Sequence, residues 1–296
     1  MENDRPQSGM VELEEVSKAF KTGFMRARVQ ALDSISFQVG PGSIVGLVGP
    51  NGSGKTTIFR IVSGLLKPDR GRVRVMGHEP GAMEVRRKIG YMPEQPGLPG
   101  SLTPLEIVEF VGRIFGLTAA QRRSRYAELE TLLSLSAFQR QRMRGLSKGQ
   151  LKRVGLAAAF YNQPALLLLD EPLEGLDPLG AADIKAHLRS LAQQGASILI
   201  SSHILSDVEA LCDHLLIVHE GRILVRGPTE AILSAGQSME IRFAASSGES
   251  LCQEIATLIE SRGGRVESAG RARQGLEALF RQIVKGAPPT RPEAGP

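Results

Sequence analysis

Residues 49–57 read Gly49-Pro50-Asn51-Gly52-Ser53-Gly54-Lys55-Thr56-Thr57, and this stretch decides the fold. It fits the pattern of Gly, four residues, Gly, Lys, then Ser or Thr. A strand-like run, Ile44-Val45-Gly46-Leu47-Val48, precedes it, and Ile58, Ile61 and Val62 follow at helical spacing. A strand, a glycine loop and a helix N-terminus together make a phosphate cradle. Gly52 and Gly54 let the backbone turn so that successive N–H groups point inward, and the helix adds the positive end of its dipole. Lys55 is placed to reach β and γ phosphates, and the Thr56 hydroxyl to bind Mg²⁺.

The chain has 296 residues, room for one large domain and a small appendage. Its 42% hydrophobic and 23% charged residues match an ordinary globular composition, so neither a fibrous nor a disordered class is expected. No uninterrupted apolar run approaches the roughly 18 residues of a membrane-spanning helix. The most apolar stretch, 155–169, is broken by Asn162, Gln163 and Pro164. The polar start lacks a signal-peptide core. Cys212 and Cys252 form no disulfide framework and are expected as small packed residues in a reducing cytosol. The net charge of +5 suits a polyanionic partner, with basic residues gathered at Arg140, Arg142, Arg144, Lys148, Lys152 and Arg153. Aromatics are only 4%, without Trp, which argues against a base-stacking platform for single-stranded nucleic acid.

Residues 11–20 and 32–39 alternate as strands, with a basic loop expected over 21–28. Further strands are expected at 71–75 and 89–92. Thr103-Pro104-Leu105-Glu106 combines a Thr cap, a first-position Pro and a Glu three residues after the cap, so a helix starts there. The helical pattern runs to about Arg144, as an insert between two α/β halves. Residues 165–169 and 197–200 are continuous apolar runs that suit parallel strands buried on both faces. A hairpin over 215–225 is expected to turn at Glu220-Gly221. A second α/β pattern follows, with strands at 239–243 and 265–268 and helices at 249–261 and 273–284. The Pro- and Gly-rich end is expected to be disordered.

Further motifs follow the glycine loop in a fixed order. An apolar strand, Leu166 to Leu169, delivers Asp170 and Glu171 at its carboxyl end. Asp170 is placed to hold Mg²⁺ through water, and Glu171 to polarise an attacking water as general base. Leu146-Ser147-Lys148-Gly149-Gln150 opens a helix, with Ser147 as N-cap and Gly149 allowing close approach of an anion. Glu174-Gly175-Leu176-Asp177-Pro178 comes shortly after the acidic pair. His203 follows the apolar strand, where a γ-phosphate sensor is expected.

This ordered set resembles the ATP-binding subunits of ABC transporters, over about residues 10–235. The resemblance implies an α/β fold: a P-loop NTPase core with an antiparallel β part and a helical subdomain over about 101–162. It implies an ATPase that uses ATP and Mg²⁺. Gly49 to Thr57 would be its Walker A loop, Asp170 its Walker B aspartate, Glu171 its catalytic base and His203 its switch histidine. Phe20 stands where the family often stacks an aromatic on adenine. Two copies, as a homodimer or pseudo-dimer, would sandwich ATP between one P-loop and the partner's Ser147 and Gly149. Three departures stand out. Glu94, not Gln95, occupies the Q-loop slot, where it could join the Mg²⁺ shell. Lys148 replaces the usual signature Gly, and Glu174 replaces the usual D-loop Ser.

The segment Pro93 to Leu98, the signature Leu146 to Gln150 and the appended α/β part at 236–286, followed by a tail at 287–296, are similar to exporter-type (ABC-2 type) subunits. In these a separate transmembrane permease is the partner, and export is expected by analogy. The chain would then be cytoplasmic, peripheral on the inner face of the membrane, with no nucleic-acid partner. The surface around Pro96 to Leu105 and the nearby helical insert are expected to dock the permease, with Pro96, Gly97, Leu98 and Leu102 offering apolar contact. The alternative is a soluble ABC-type ATPase acting on nucleic acid or the ribosome, for which the basic charge is the best support.

Overall fold

Two strands set the first layer. β1 (Val11–Thr22) and β2 (Ala27–Val39) pair antiparallel, and β4 (Arg70–Val75) joins the other edge of β1. Residues 9–22, 27–233, 248–262 and 266 are described by the computed structural model. The ladder extends into both ends of the stretch expected as a basic loop, 21–28. Lys21 pairs with Arg28 and Thr22 with Ala27, because an edge ladder forms through the backbone whatever charge its exposed side chains carry.

The second layer is a six-stranded sheet. β3 (Ile44–Val48) lies at its centre, flanked by β7 (Ser197–Ser202) and β8 (His214–His219). β6 (Leu166–Leu169) and β5 (Ile89–Met92) extend one side, all parallel. β9 (Arg222–Pro228) closes the other side antiparallel to β8. The turn falls at Glu220-Gly221 as expected, with φ of 47° and 75°, the left-handed pair that a tight hairpin favours. The continuous apolar runs now have their reason. Val45, Leu47, Leu166, Leu168 and Leu199 face one core, and Ile44, Val48, Leu167, Leu169, Ile198 and Ile200 face the other. A strand covered on both faces cannot alternate with polar residues.

α1 (Lys55–Val62) sits in the core between the two sheets, burying Ile58, Phe59, Ile61 and Val62. Each such side chain contributes about 1.5–3 kcal/mol on transfer from water. A short α2 (Met83–Arg86) precedes β5.

On the other core pack the helices of the insert, α3 (Pro104–Ile114), α4 (Ala119–Leu133) and α5 (Lys148–Phe160). Thr103 and Glu106 close the expected capping box, with Glu106 N–H donating to Thr103 Oγ1 at 3.2 Å and Thr103 N–H to Glu106 Oε2 at 2.8 Å. The helical run does not reach Arg144. Ser134, at φ 51°, stops α4 in a left-handed cap, and turns with a 3₁₀ segment at Met143–Gly145 carry the chain to α5. Leu98, Leu102 and Leu105 are half-buried and pack against the core, and the loop is tied to the segment before α5, with Met143 N–H donating to the Leu102 carbonyl and Leu105 N–H to the Gln139 carbonyl. The exposed large apolar side chains of the insert are Phe110 and Ile114.

α6 (Pro178–Gln193) and α7 (Leu205–Leu211) complete this layer, and α8 (Thr229–Leu233) follows β9. Cys212 is buried among them, and burial pushes its thiol up to about 12, as befits a packed residue. The Cys252 side chain lies outside the described residues.

The chain divides into two units, 1–235 and 236–296. Of the second, α9 (Gly248–Ser261) matches the helix expected at 249–261. The strands expected at 239–243 and, apart from Val266, 265–268, the helix at 273–284 and the tail lie outside the described residues. No helix among the described residues is long and apolar enough to cross a membrane.

Candidate nucleotide site

β3 ends at Val48, and the chain turns through the glycine loop into α1. Gly54 is the helix N-cap at φ 112°, and a Cβ there would lie 2.7 Å from both the Ala31 carbonyl oxygen and Leu32 Cδ2. Only glycine fits both the backbone angle and the space. The loop opens onto a cavity of about 350 Å³ lined by Asn51, Gly52, Gly54, Lys55, Thr56 and Thr57 together with Ala31, Glu94, Asp170 and Glu171. Gly49 and Pro50 stand behind it, and their carbonyls accept from Lys55 Nζ at 2.6 and 3.1 Å. Ser53 is buried, and its hydroxyl has no protein partner.

Parallel pairing brings the acidic pair to this cavity. β6 and β7 run in register with Leu169 beside Ile200, so Asp170 lies beside Ser201. Ser201 Oγ donates to Asp170 Oδ1 at 2.6 Å, and Thr56 Oγ1 donates to Asp170 Oδ2 at 2.7 Å. Glu171 follows at φ 52°, a left-handed conformation that costs an L-residue about 1–2 kcal/mol. Its N–H donates to Ser201 Oγ at 2.8 Å, and its carbonyl accepts from Lys152 Nζ at 2.7 Å. Glu171 Oε2 lies 2.9 Å from His203 Nδ1, while Oε1 is buried without a protein partner. Ser201 and Lys152 escaped sequence reasoning. Their contacts cross between elements, and the only signal available was a hydroxyl beside the acidic pair in strand register.

The remaining expected residues are placed as follows. Glu94, rather than Gln95, lines the cavity with Asp170 and Thr56. These are oxygen donors of the kind Mg²⁺ takes. Among the described residues no three His, Cys, Asp or Glu side chains gather as a metal cluster. Mg²⁺ ordinarily takes one or two carboxylates and draws its other ligands from phosphate and water, so this donor set fits it. Phe20 lies on β1 outside the lining, with Lys18 Nζ 5.9 Å from its ring centre. Ser147 caps α5 by accepting from Gln150 N–H at 3.3 Å, and it is exposed, away from this chain's own cavity. Gly149 has an internal reason to be glycine: a Cβ there would come within 2.5 Å of the Gly175 carbonyl oxygen.

The family described as ABC transporter matches residues 32–174. An uncharacterized ABC transporter ATP-binding protein of Synechocystis sp. is 35% identical over 85% of this chain and 72% of its own length. The chain belongs to the ABC transporter ATP-binding proteins. The Nod factor export ATP-binding protein I of Paraburkholderia xenovorans is 33% identical over 94% of this chain and 87% of its own. A dimeric ATP-binding cassette solved in a post-hydrolysis state with ADP and Pi superposes with a TM-score of 0.69, at 28% identity over 74% of this chain and 99% of the other. This ABC ATP-binding protein therefore has the P-loop cassette fold, binds ATP and is an ATPase.

Two of its departures from the family pattern meet each other. Lys148 Nζ donates to Glu174 Oε1 at 2.6 Å, tying the α5 N-terminus to the loop after the acidic pair. The bond to Lys148 holds the Glu174 carboxyl below its usual range, and the bond to Glu174 holds the Lys148 ammonium above its own. Glu174→Lys, which sets two ammonium groups together, is expected to slow ATP turnover by roughly two- to fivefold, the scale of a partly exposed pair. Adding Lys148→Glu should restore most of the rate, because the pair is rebuilt in reverse. A double-mutant cycle measures the coupling. Because the Glu174 pKa is lowered in the folded chain, the coupling in the native sequence is present above the unfolded carboxylate value near about 4.3 and is lost as pH falls through the lowered one. No rescue by the double variant would refute the pairing.

Proposed function

We propose that this ATPase powers export through a separate transmembrane permease, as a dimer of ATP-binding subunits peripheral on the cytoplasmic face of the membrane. The observation that carries the ATPase part of the reading is the convergence of Thr56, Asp170 and Glu171, with His203 against Glu171, on the mouth of a phosphate cradle. Relatives that carry the word export in their names, the Nod factor protein among them, support the direction of transport.

The roles follow from placement. Main-chain N–H groups of Gly52 to Thr57 and the α1 N-terminus cradle the triphosphate, and Lys55 supplies the mobile cation. Thr56, Asp170 and Glu94 would hold Mg²⁺, which when bound offsets charge on the β and γ phosphates. Glu171 accepts the proton of the attacking water through the carboxylate oxygen that has no protein partner, while His203 holds the other oxygen. Ser147 and Gly149 are left to face the nucleotide of a second copy, a reading supported by the dimeric cassette among the structural relatives. Phe20 sits within the first layer, where an adenine leaving the cradle could stack.

The test is a mild-detergent purification of the tagged full-length chain from its own cells. A polytopic membrane protein, identified by peptide mass and present in stoichiometric amount, is expected, and its presence should raise ATP turnover. Recovery with ribosomes or nucleic acid instead, at a turnover that membranes do not change, would favour the alternative of a non-transport ATPase.

A further inference from the structure

Lys152 is 1% exposed, among the most buried side chains of the described residues. Its α5 neighbours Val154, Leu156, Ala157 and Phe160 are apolar and buried, so an apolar residue would pack there without desolvating an ammonium. Burial holds Lys152 below the usual lysine range, opposed by the charges of Glu174, Glu94 and Asp170 and reinforced by that of Lys148. Its hydrogen bond runs to a main-chain group, the Glu171 carbonyl, at 2.7 Å. A charge buried at such cost is explained by what it touches.

What it touches is a strained peptide. Glu171 has a φ of 52°, and both of its main-chain groups are held from outside the strand. Its N–H donates to Ser201 Oγ, and its carbonyl accepts from Lys152 Nζ at 2.7 Å and, at the longer distance of 3.4 Å, from Glu174 N–H. In that conformation the side chain reaches His203 Nδ1 and lines the cavity. Relaxing to ordinary extended backbone would swing the carboxylate away.

We propose that Lys152 is a positioning residue. Its ammonium pins the Glu171 peptide in the left-handed turn that aims the carboxylate into the cavity, and so makes the base competent only while α5 is seated. This rests on the reading of Glu171 as general base. Ser147 caps α5 and Gly149 lies in its first turn, one turn before Lys152, so a displacement of that N-terminus is carried along the helix, by the Lys152 bond, to the base. Hydrolysis in this site then answers to the position of the surface that faces the second copy.

The experiment uses the full-length chain with Lys152→Met, which keeps length and apolar bulk but has no donor, and Lys152→Gln, which keeps an N–H donor. Single-turnover hydrolysis, kcat, KM and ATP affinity are measured for each, alone and combined with Glu171→Gln. Lys152→Met is expected to lower kcat about 10- to 100-fold, since a misplacement near 1 Å costs on the order of 10²-fold. KM and ATP affinity should stay within about threefold, because no phosphate ligand is removed. Lys152→Gln should recover part of the loss. In the Glu171→Gln background, Lys152→Met should cost nothing further, because the group it positions is already inert. The same loss in both backgrounds, or ATP affinity falling in step with kcat, would mean a general structural role and overturn the inference. Should the Met variant fail to fold, Lys152→Gln with and without Glu171→Gln decides by the same criterion. Wild-type speed for Lys152→Met beside a slowed Glu171→Gln overturns this inference alone. Wild-type speed for Glu171→Gln overturns the base assignment first, and this inference with it.

Discussion

Glu171→Gln is expected to bind ATP and to hydrolyse it about 10²–10⁴-fold more slowly than the native chain, the range typical of a lost general base. The amide keeps the volume and the shape of the carboxylate. It keeps an oxygen that can lie against His203 Nδ1, 2.9 Å away in the native chain. What it loses is the capacity to take a proton from water. Binding should survive because Lys55, Thr56 and Asp170 are untouched, and the bond from Thr56 to Asp170 that aligns them does not involve Glu171. With ATP persisting, two copies should remain closed, each P-loop opposite the other's Ser147 and Gly149. Light scattering with ATP and with ADP reads this directly. Adding Ser147→Arg, which fills the α5 N-terminal site, should prevent the dimer. A Glu171→Gln chain that turns over ATP within a few-fold of the native rate would remove Glu171 from the role of base.

Lys55→Ala should weaken ATP binding by about 10- to 100-fold, equivalent to the roughly 1.5–3 kcal/mol of a hydrogen bond to a charged group. Two effects combine. The triphosphate loses the one lysine of its cradle, and the Gly49 and Pro50 carbonyls lose the ammonium that ties the loop together at 2.6 and 3.1 Å. The fold should hold, because the apolar face of α1, through Ile58, Phe59, Ile61 and Val62, is unchanged. Equilibrium nucleotide binding measured beside thermal unfolding separates the two. Unchanged affinity with unchanged stability would contradict the phosphate-loop reading of Gly49 to Thr57.

The local chemistry was legible without coordinates because its determinants are close in sequence. The glycine loop needs only its own residues and the strand and helix that flank it, and the apolar runs at 166–169 and 197–200 can be satisfied only by a strand covered on both faces. The capping box at Thr103 and Glu106 and the hairpin turn at Glu220-Gly221 are decided within four residues, so they were readable in the same way. Where the reading erred, the deciding contact was remote. Lys21, Thr22, Ala27 and Arg28 read as loop by composition, yet they belong to the ladder because their partners lie across the hairpin. Leu98 and Leu102 are half-buried, resting on the core with one side, because their packing partners lie far along the chain.

By itself, then, the sequence determined the class of fold, the phosphate cradle and the order of the motifs, since each follows from residue type at short spacing. Only the tertiary structure decided which atoms meet. Asp170 is aligned by Thr56 from 114 positions away and by Ser201 from 31. Glu171 is fixed by Ser201 and Lys152, and the two unusual residues Lys148 and Glu174 turn out to be partners. These are hydrogen bonds of 2.6–2.8 Å between groups brought together by parallel strand register and by α5 packing against the sheet. A directional bond of that length depends on where two backbones run, and no pattern along one chain specifies that until the core has folded around both.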